Sequence, residues 1–157
     1  MKFKVMTTIS VLVLAAGFLA LTLSLYPGAA SVSASDARNG VLQVTKECSK
    51  YTGAAGDYCT ITSSNLDAIA VGSKVFYDQA ANTPAGLLDS DIVLDAGTGN
   101  RAVGHCTLDL GNYLGLCTFS DGTGQLTGFS ARVVVSPTGG PNFNWDGTYR
   151  FSPQPPR

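Results

Sequence analysis

Four cysteines and a single histidine are the side chains of this sequence with the most distinctive chemistry. The segment "GHCTLDLGNYLGLCTFSDGTGQLTGF", residues 104–129, contains His105, Cys106 and Cys117. Such residues could form a zinc centre, a reactive dithiol or a disulfide. Structural zinc usually has ligands about two to four residues apart within a pair, and a redox dithiol usually has the spacing Cys-x-x-Cys. Neither spacing occurs, so we expect disulfides and no metal site.

The four cysteines form two pairs with the same offset. Cys48 and Cys59 are eleven positions apart, as are Cys106 and Cys117, and each pair encloses a short segment rich in turn-forming residues. Of the three pairings that four cysteines allow, we therefore predict Cys48–Cys59 and Cys106–Cys117. In the loop-entropy model, each closure stabilises the fold by about 3 kcal/mol.

The histidine and the aspartates do not form a recognisable catalytic set. A Ser-His-Asp hydrolase would have to use His105, yet the chain has no Gly-x-Ser-x-Gly elbow and no predicted helix. Asp89, Asp91 and Asp95 lie in "DSDIVLDAG" and could bind Ca²⁺ or act in acid–base chemistry, but they lack the spacing of a calcium loop. A surface histidine and solvated strand-end aspartates are the simpler interpretation, and no catalytic residue is assigned.

Aromatic side chains crowd into the last third of the chain. They are either ordinary core or the wall of an apolar ligand cavity, and in a small barrel the same residues can be both. Arg132, Tyr77 or Asp67 would then serve as polar anchors. The predicted cavity residues are Tyr77, Phe119, Phe129, Arg132, Trp145 and Tyr149.

The first 34 residues resemble an export signal. Lys2 and Lys4 precede an apolar run over 11–25, and Val32-Ser33-Ala34 fits the small-residue rule for cleavage before Ser35. The apolar run is shorter than the roughly 20 residues that span a bilayer, which disfavours the alternative of a retained anchor. We predict a signal peptide over 1–34 and a single mature domain over 35–157, secreted or periplasmic.

The charge of the predicted mature chain argues against two classes of partner. It carries 8 basic and 11 acidic residues, a net charge of −3, and the basic residues are scattered. Nucleic-acid binding requires a basic patch, and surface binding to a membrane requires a basic amphipathic segment. We expect neither nucleic acid nor, after cleavage, membrane as a partner, and we expect no cofactor.

Short β-branched segments separated by glycine-rich turns predict an all-β fold. Strict alternation is clearest at the end of the chain, where Phe143, Trp145, Tyr149 and Phe151 share one face. About eight antiparallel strands must hide their edges, which favours a closed barrel over the alternative, a β-sandwich. Residues 79–90 are predicted as a loop or helical turn. The predicted strands are 41–48, 58–64, 68–78, 91–95, 101–110, 114–120, 125–135 and 143–151.

Two segments, residues 104–129 and "ARVVVSPTGGPNFNWDGTYRF" at 131–151, resemble secreted bacterial members of the allene oxide cyclase-like and dirigent-like barrel superfamily. The resemblance covers about residues 41–152. It implies an eight-stranded antiparallel barrel with a mostly apolar cavity, often in a homo-oligomer. Pro141 follows the "TGG" turn where that family usually has threonine or serine, and no catalytic residue of the family aligns with this chain.

Three functions are compatible with these observations. The first is binding of a small apolar or phenolic ligand in the barrel interior. The second is an isomerase, cyclase or dirigent-like protein that steers a reactive intermediate; if the protein is an enzyme, we expect this type. The third is a structural or interaction protein of the cell exterior with a filled core. An inward-pointing ionisable group with a shifted pKa would favour the second.

Overall fold

The computed structural model describes residues 38–152 of the 157-residue chain. The predicted signal peptide, 1–34, lies outside the described residues. Within 38–152, no helix has the length and apolar character needed to cross a bilayer. The only helical element described is a single 3₁₀ turn, Gly124–Leu126.

Eight antiparallel strands form one closed barrel. Each strand pairs with its neighbours in the sequence, and β1 also pairs with β8 from Asn39↔Arg150 to Glu47↔Asn142, which closes the sheet. The barrel, rather than the sandwich, is therefore confirmed. The strands are β1 (Asn39–Glu47), β2 (Tyr58–Ser64), β3 (Lys74–Tyr77), β4 (Leu87–Asp95), β5 (Arg101–Asp109), β6 (Gly115–Gly122), β7 (Phe129–Gly139) and β8 (Asn142–Phe151).

Alternating side chains fill the barrel interior. In β7, Phe129, Ala131, Val133 and Val135 are buried, while the intervening residues are partly or fully exposed. Successive side chains of a strand point to opposite faces, so one face of each strand lines the core. Strand β1 follows the same rule, but its inward face ends in a lysine. The inward residues of β1 are Leu42, Val44 and Lys46, all buried.

Three predicted strands differ clearly from the structure, for local reasons. The strand predicted at 125–135 is β7, Phe129–Gly139, because Gly124–Leu126 form the 3₁₀ turn. The predicted strand 68–78 is reduced to β3, because residues 65–73 form consecutive turns that include Gly72 at φ +92°. Ile69, in this turn segment, is buried against the core. Strand β4 begins at Leu87 rather than 91, because Leu88 and Ser90 continue its inward face.

Glycine permits close contact between neighbouring strands at two inward positions. A Cβ on Gly104 of β5 would overlap the carbonyl oxygen of Thr118, and one on Gly147 of β8 would overlap that of Arg132. Neither position has a positive φ, so the requirement comes from interstrand distance rather than backbone conformation. Such close approaches are typical of tightly coiled small barrels.

Both predicted disulfides are present. Cys106 and Cys117 lie directly opposite each other on β5 and β6, with Cα atoms 4.1 Å apart, and both are buried. Cys48 and Cys59 join the residue after β1 to β2, with a Cα separation of 4.3 Å. The disulfides thus connect two neighbouring strand pairs.

The two ends of the barrel differ in what they carry. The N-terminus of β1 and the C-terminus of β8 lie together at one end, because Asn39 pairs with Arg150. The other end, called the Lys46 end below, carries four connections, at residues 48–57, 78–86, 110–114 and 140–141.

Candidate functional site

A buried lysine lies at the Lys46 end of the barrel. The Lys46 side chain is only 4% exposed, and its Nζ donates a hydrogen bond to Tyr77 Oη on β3. Nζ also lies 4.6 Å from the ring centroid of Trp145, 5.2 Å from that of Tyr77 and 5.8 Å from that of Phe143. Aromatic faces stabilise a nearby cation through their quadrupoles, but more weakly than a carboxylate would.

We define the Lys46 site as Lys46, Tyr51, Tyr77, Phe143 and Trp145. The two tyrosine rings contact each other, with centroids 5.0 Å apart. β1, β3 and β8 supply four of the residues, and the β1–β2 connection supplies Tyr51. The site therefore depends on barrel closure, because only the pairing of β1 with β8 brings Phe143 and Trp145 alongside Lys46.

The amine of Lys46 has no opposite charge beside it. Within residues 38–152, no carboxylate lies within ion-pair distance of its Nζ. Burial without a charge partner disfavours the ammonium form and lowers the pKa of Lys46 to about 7. Burial also raises the pKa of Tyr77, with a smaller contribution from Tyr51, so the Tyr77 phenol stays protonated at neutral pH.

Two further polar groups of the site are buried without a partner. The indole Nε1 of Trp145 and the hydroxyl of Tyr51 make no hydrogen bond within the described part of the chain. An indole N–H can only donate, and a protonated lysine can only donate. The indole N–H of Trp145 and the hydroxyl of Tyr51 are thus donors without an acceptor, which an oxygen atom on a ligand would complement.

The predicted cavity residues divide between the inside and the outside of the barrel. Phe119 contacts both Phe129 and Trp145, with ring centroids 5.9 and 5.4 Å away, and all three are buried. Tyr149 is partly buried and packs against the core. These rings, with Leu, Ile and Val side chains, pack the middle of the barrel. Of the predicted set, Tyr77, Phe119, Phe129 and Trp145 face the interior.

Two predicted polar anchors do not face the interior. Arg132 is exposed on the outer face of β7, because it alternates with the buried Ala131 and Val133. Asp67 is exposed in the turn segment before β3. Arg132 therefore lies on the outside of the barrel, and of the three predicted anchors only Tyr77 is buried in the interior.

The histidine forms a separate cluster on the outer face of β4 and β5. His105 Nε2 lies 2.7 Å from Asp89 Oδ1, and its Nδ1 lies 3.0 Å from Asp91 Oδ1. These hydrogen bonds, that to Asp91 first, raise the pKa of His105, although the side chain is 47% exposed. Among the described residues, no group of three or more His, Cys, Asp or Glu side chains is arranged to hold a metal ion.

The amine of Lys46 can have two chemical roles. As an ammonium it would bind an anionic or phenolate oxygen, and as a free amine it is a base and a nucleophile. No family model, curated protein or solved structure matches this chain. The roles are therefore assigned from the geometry of the Lys46 site.

Sequence reasoning missed the central residue of this site. Lys46 was counted among scattered basic residues, yet it has the same parity as Leu42 and Val44 on the predicted first strand. That parity places a lysine on the apolar face of the strand, and it is the feature of the sequence that could have identified Lys46 as an interior residue. Its contact with Tyr77 was not predictable, because β2 lies between β1 and β3.

Proposed function

We propose that this protein is an exported β-barrel of the allene oxide cyclase-like and dirigent-like type that binds a small apolar or phenolic molecule at the Lys46 end. The observation that carries the proposal is an amine buried among aromatic rings with no carboxylate partner among residues 38–152. A soluble protein rarely buries a lysine without a charge partner, because desolvation of the ammonium is unfavourable. Retaining one beside unpartnered donors is typical of a binding or catalytic site.

The chemistry of the Lys46 site favours a flat ligand with one acceptor oxygen. Trp145, Phe143 and Tyr77 offer aromatic faces, which pack well against a phenolic ring. Lys46 Nζ would donate to the ligand oxygen, and the unpartnered Nε1 of Trp145 is a second donor of the site. The middle of the barrel is packed with side chains, so we place the ligand at the end of the barrel rather than at its centre.

Trp145 provides the assay, because it is the only tryptophan of the chain and belongs to the site. The mature protein is titrated with simple phenols and medium-chain fatty acids while Trp145 fluorescence and melting temperature are recorded. We expect saturable quenching and a rise in melting temperature for phenols. A charge-assisted hydrogen bond is worth about 1.5–3 kcal/mol, so Lys46→Met should weaken binding by roughly ten- to hundredfold.

Lys74→Met is the matched control. Lys74 is exposed on the outer face of β3, with its Nζ 4.5 Å from the centroid of the Tyr58 ring, so this variant removes a lysine outside the site. We expect it to bind phenols like the parent protein. If no ligand changes either the fluorescence or the melting temperature, the binding proposal fails and the filled-core structural role becomes the better explanation.

A second candidate, an isomerase or cyclase, is supported by the same lysine. An inward ionisable group whose pKa is lowered to about 7 is suited to proton transfer near neutral pH. The protonated phenol of Tyr77 beside it supplies an acid. Turnover of an epoxide or phenolic-radical substrate that disappears in Lys46→Met but persists in Lys74→Met would establish this function.

Export is proposed on two grounds. Disulfides form and persist mainly in oxidising compartments, and the predicted signal peptide precedes both of them in the sequence. Intact-mass measurement of protein recovered from the exported fraction should give a chain that begins at Ser35 with all four cysteines oxidised. A full-length chain retained in the cell with free thiols would refute export.

A further inference from the structure

The residues around Lys46 leave its amine free to react. Within residues 38–152 its side-chain hydrogen-bond partner is a neutral phenol, Tyr77, and its other neighbours at the site are the aromatic rings of Phe143 and Trp145. The two other lysines of the predicted mature chain, Lys50 and Lys74, are exposed. The fold thus distinguishes one amine from the rest.

From this geometry we propose that Lys46 forms a covalent imine with a small apolar aldehyde, the aromatic rings holding the aldehyde and Tyr77 handling the protons. The inference rests on the proposed function, because it specifies the ligand class of the same site. An aldehyde offers an acceptor oxygen to the unpartnered donors of the site, and it brings no charge to an amine that has no carboxylate beside it within residues 38–152.

The reaction is a condensation that needs no oxidant or reductant. The Nζ lone pair attacks the carbonyl carbon, a C–N bond forms, and the carbonyl π electrons move to oxygen. That oxygen takes a proton from the Tyr77 hydroxyl, and the nitrogen returns one to the Tyr77 oxygen. Loss of the hydroxyl with a further proton from nitrogen releases one water and leaves the C=N bond.

Burial supports this reactivity. Only the free amine is a nucleophile, and at neutral pH an ordinary lysine is almost entirely protonated. With a pKa of about 7, Lys46 carries a free-amine fraction larger by a factor on the order of a thousand. The phenol of Tyr77, held protonated by burial, lies within hydrogen-bond distance of the attacking atom.

Two aromatic rings contact each other at the Lys46 end of the barrel. Phe143, beside Lys46, is partly buried and contacts Tyr113 edge to face, with centroids 6.2 Å apart. Tyr113 is 49% exposed in the β5–β6 connection. In this proposal an aldehyde reaches Lys46 by displacing these rings, which favours small, flat molecules.

The test is reductive trapping on the intact, disulfide-bonded mature protein. Benzaldehyde is added at pH 7 with sodium cyanoborohydride, and the modified lysine is located by peptide mapping. We expect Lys46 to be labelled at least tenfold faster than Lys50 or Lys74, and unfolding in guanidinium to abolish the preference. Tyr77→Phe should slow labelling by about tenfold or more, whereas Tyr58→Phe, outside the site, should not.

The outcomes separate this inference from the binding proposal. If benzaldehyde quenches Trp145 reversibly but no adduct forms on Lys46, the imine is overturned while ligand binding stands. Labelling confined to Lys50, Lys74 or the chain's terminal amine likewise overturns it. If benzaldehyde and phenols neither quench Trp145 nor label Lys46, both proposals fail.

Discussion

Replacing Lys46 by methionine should change how stability depends on pH, and the size of the change follows from burial of the amine. In the folded chain the pKa of Lys46 is lowered to about 7 from an ordinary value of 10.5. Between these values the unfolded chain binds a proton that the folded chain does not, so stability rises with pH. The free energy of unfolding rises by a little over 1 kcal/mol per pH unit where the unfolded chain is fully protonated at Lys46 and the folded chain is not.

The expected difference can be measured between pH 6 and pH 9. At pH 7 the folded amine is about half protonated, so from pH 7 to pH 9 the parent gains roughly 2 kcal/mol relative to Lys46→Met. Methionine fills a similar volume without a charge, so the variant should be the more stable protein at pH 6. Urea unfolding followed by Trp145 fluorescence gives both free energies at each pH.

The refuting result is a constant difference between the two proteins. If the parent and Lys46→Met keep the same difference in unfolding free energy from pH 6 to pH 9, the amine is not buried as described. Lys74→Met controls for the loss of one positive charge from the protein. All four cysteines are paired, so no free thiol is available to rearrange the disulfides at pH 9.

Three further predictions concern the rest of the barrel. His105→Gln should lower the free energy of unfolding by up to about 1 kcal/mol at pH 6 and by less at pH 9. The raised pKa of His105 gives stability that is lost as the pH rises through the pKa of the folded protein. Equal losses at both pH values would contradict this. Gly147→Ala should destabilise the protein by about 1–3 kcal/mol, because the added methyl group would overlap β7. The loss is measured as a lower urea midpoint, and an unchanged midpoint would show that the two strands can move apart. Replacing both Cys106 and Cys117 by alanine should lower the free energy of unfolding by roughly 2–4 kcal/mol in the same assay. An unchanged free energy of unfolding would mean that this disulfide does not stabilise the closed sheet.

Most of the fold was predictable because it depends on local patterns. The alternation at β8 and the glycine-rich turns between strands each determine structure within a few residues. The equal cysteine offsets gave both disulfides for the same reason, since each joins strands adjacent in the sequence. The prediction failed where turns interrupt an apolar segment, as before β3, because Leu66 and Ile69 are buried from turns rather than from a strand.

The Lys46 site was not predictable to the same degree, because it is assembled across the barrel. Lys46, Tyr77 and Trp145 lie on strands distant in sequence, and barrel closure determines which of them meet. Arg132 was assigned to the interior from its residue type, although its parity relative to Val133 places it outside. Alternation along the strands, applied strictly, predicts Lys46 rather than Arg132 as the cation inside the barrel.

Pairing of β1 with β8 also determines where the protein can be tethered to a surface or a label. Both ends of the described chain are at the same rim, opposite the one where the lysine lies. A bead, fluorophore or fusion partner tethered next to residue 38 or residue 152 would leave the Lys46 end facing solvent. Surface immobilisation through the ends is therefore compatible with aldehyde and phenol assays.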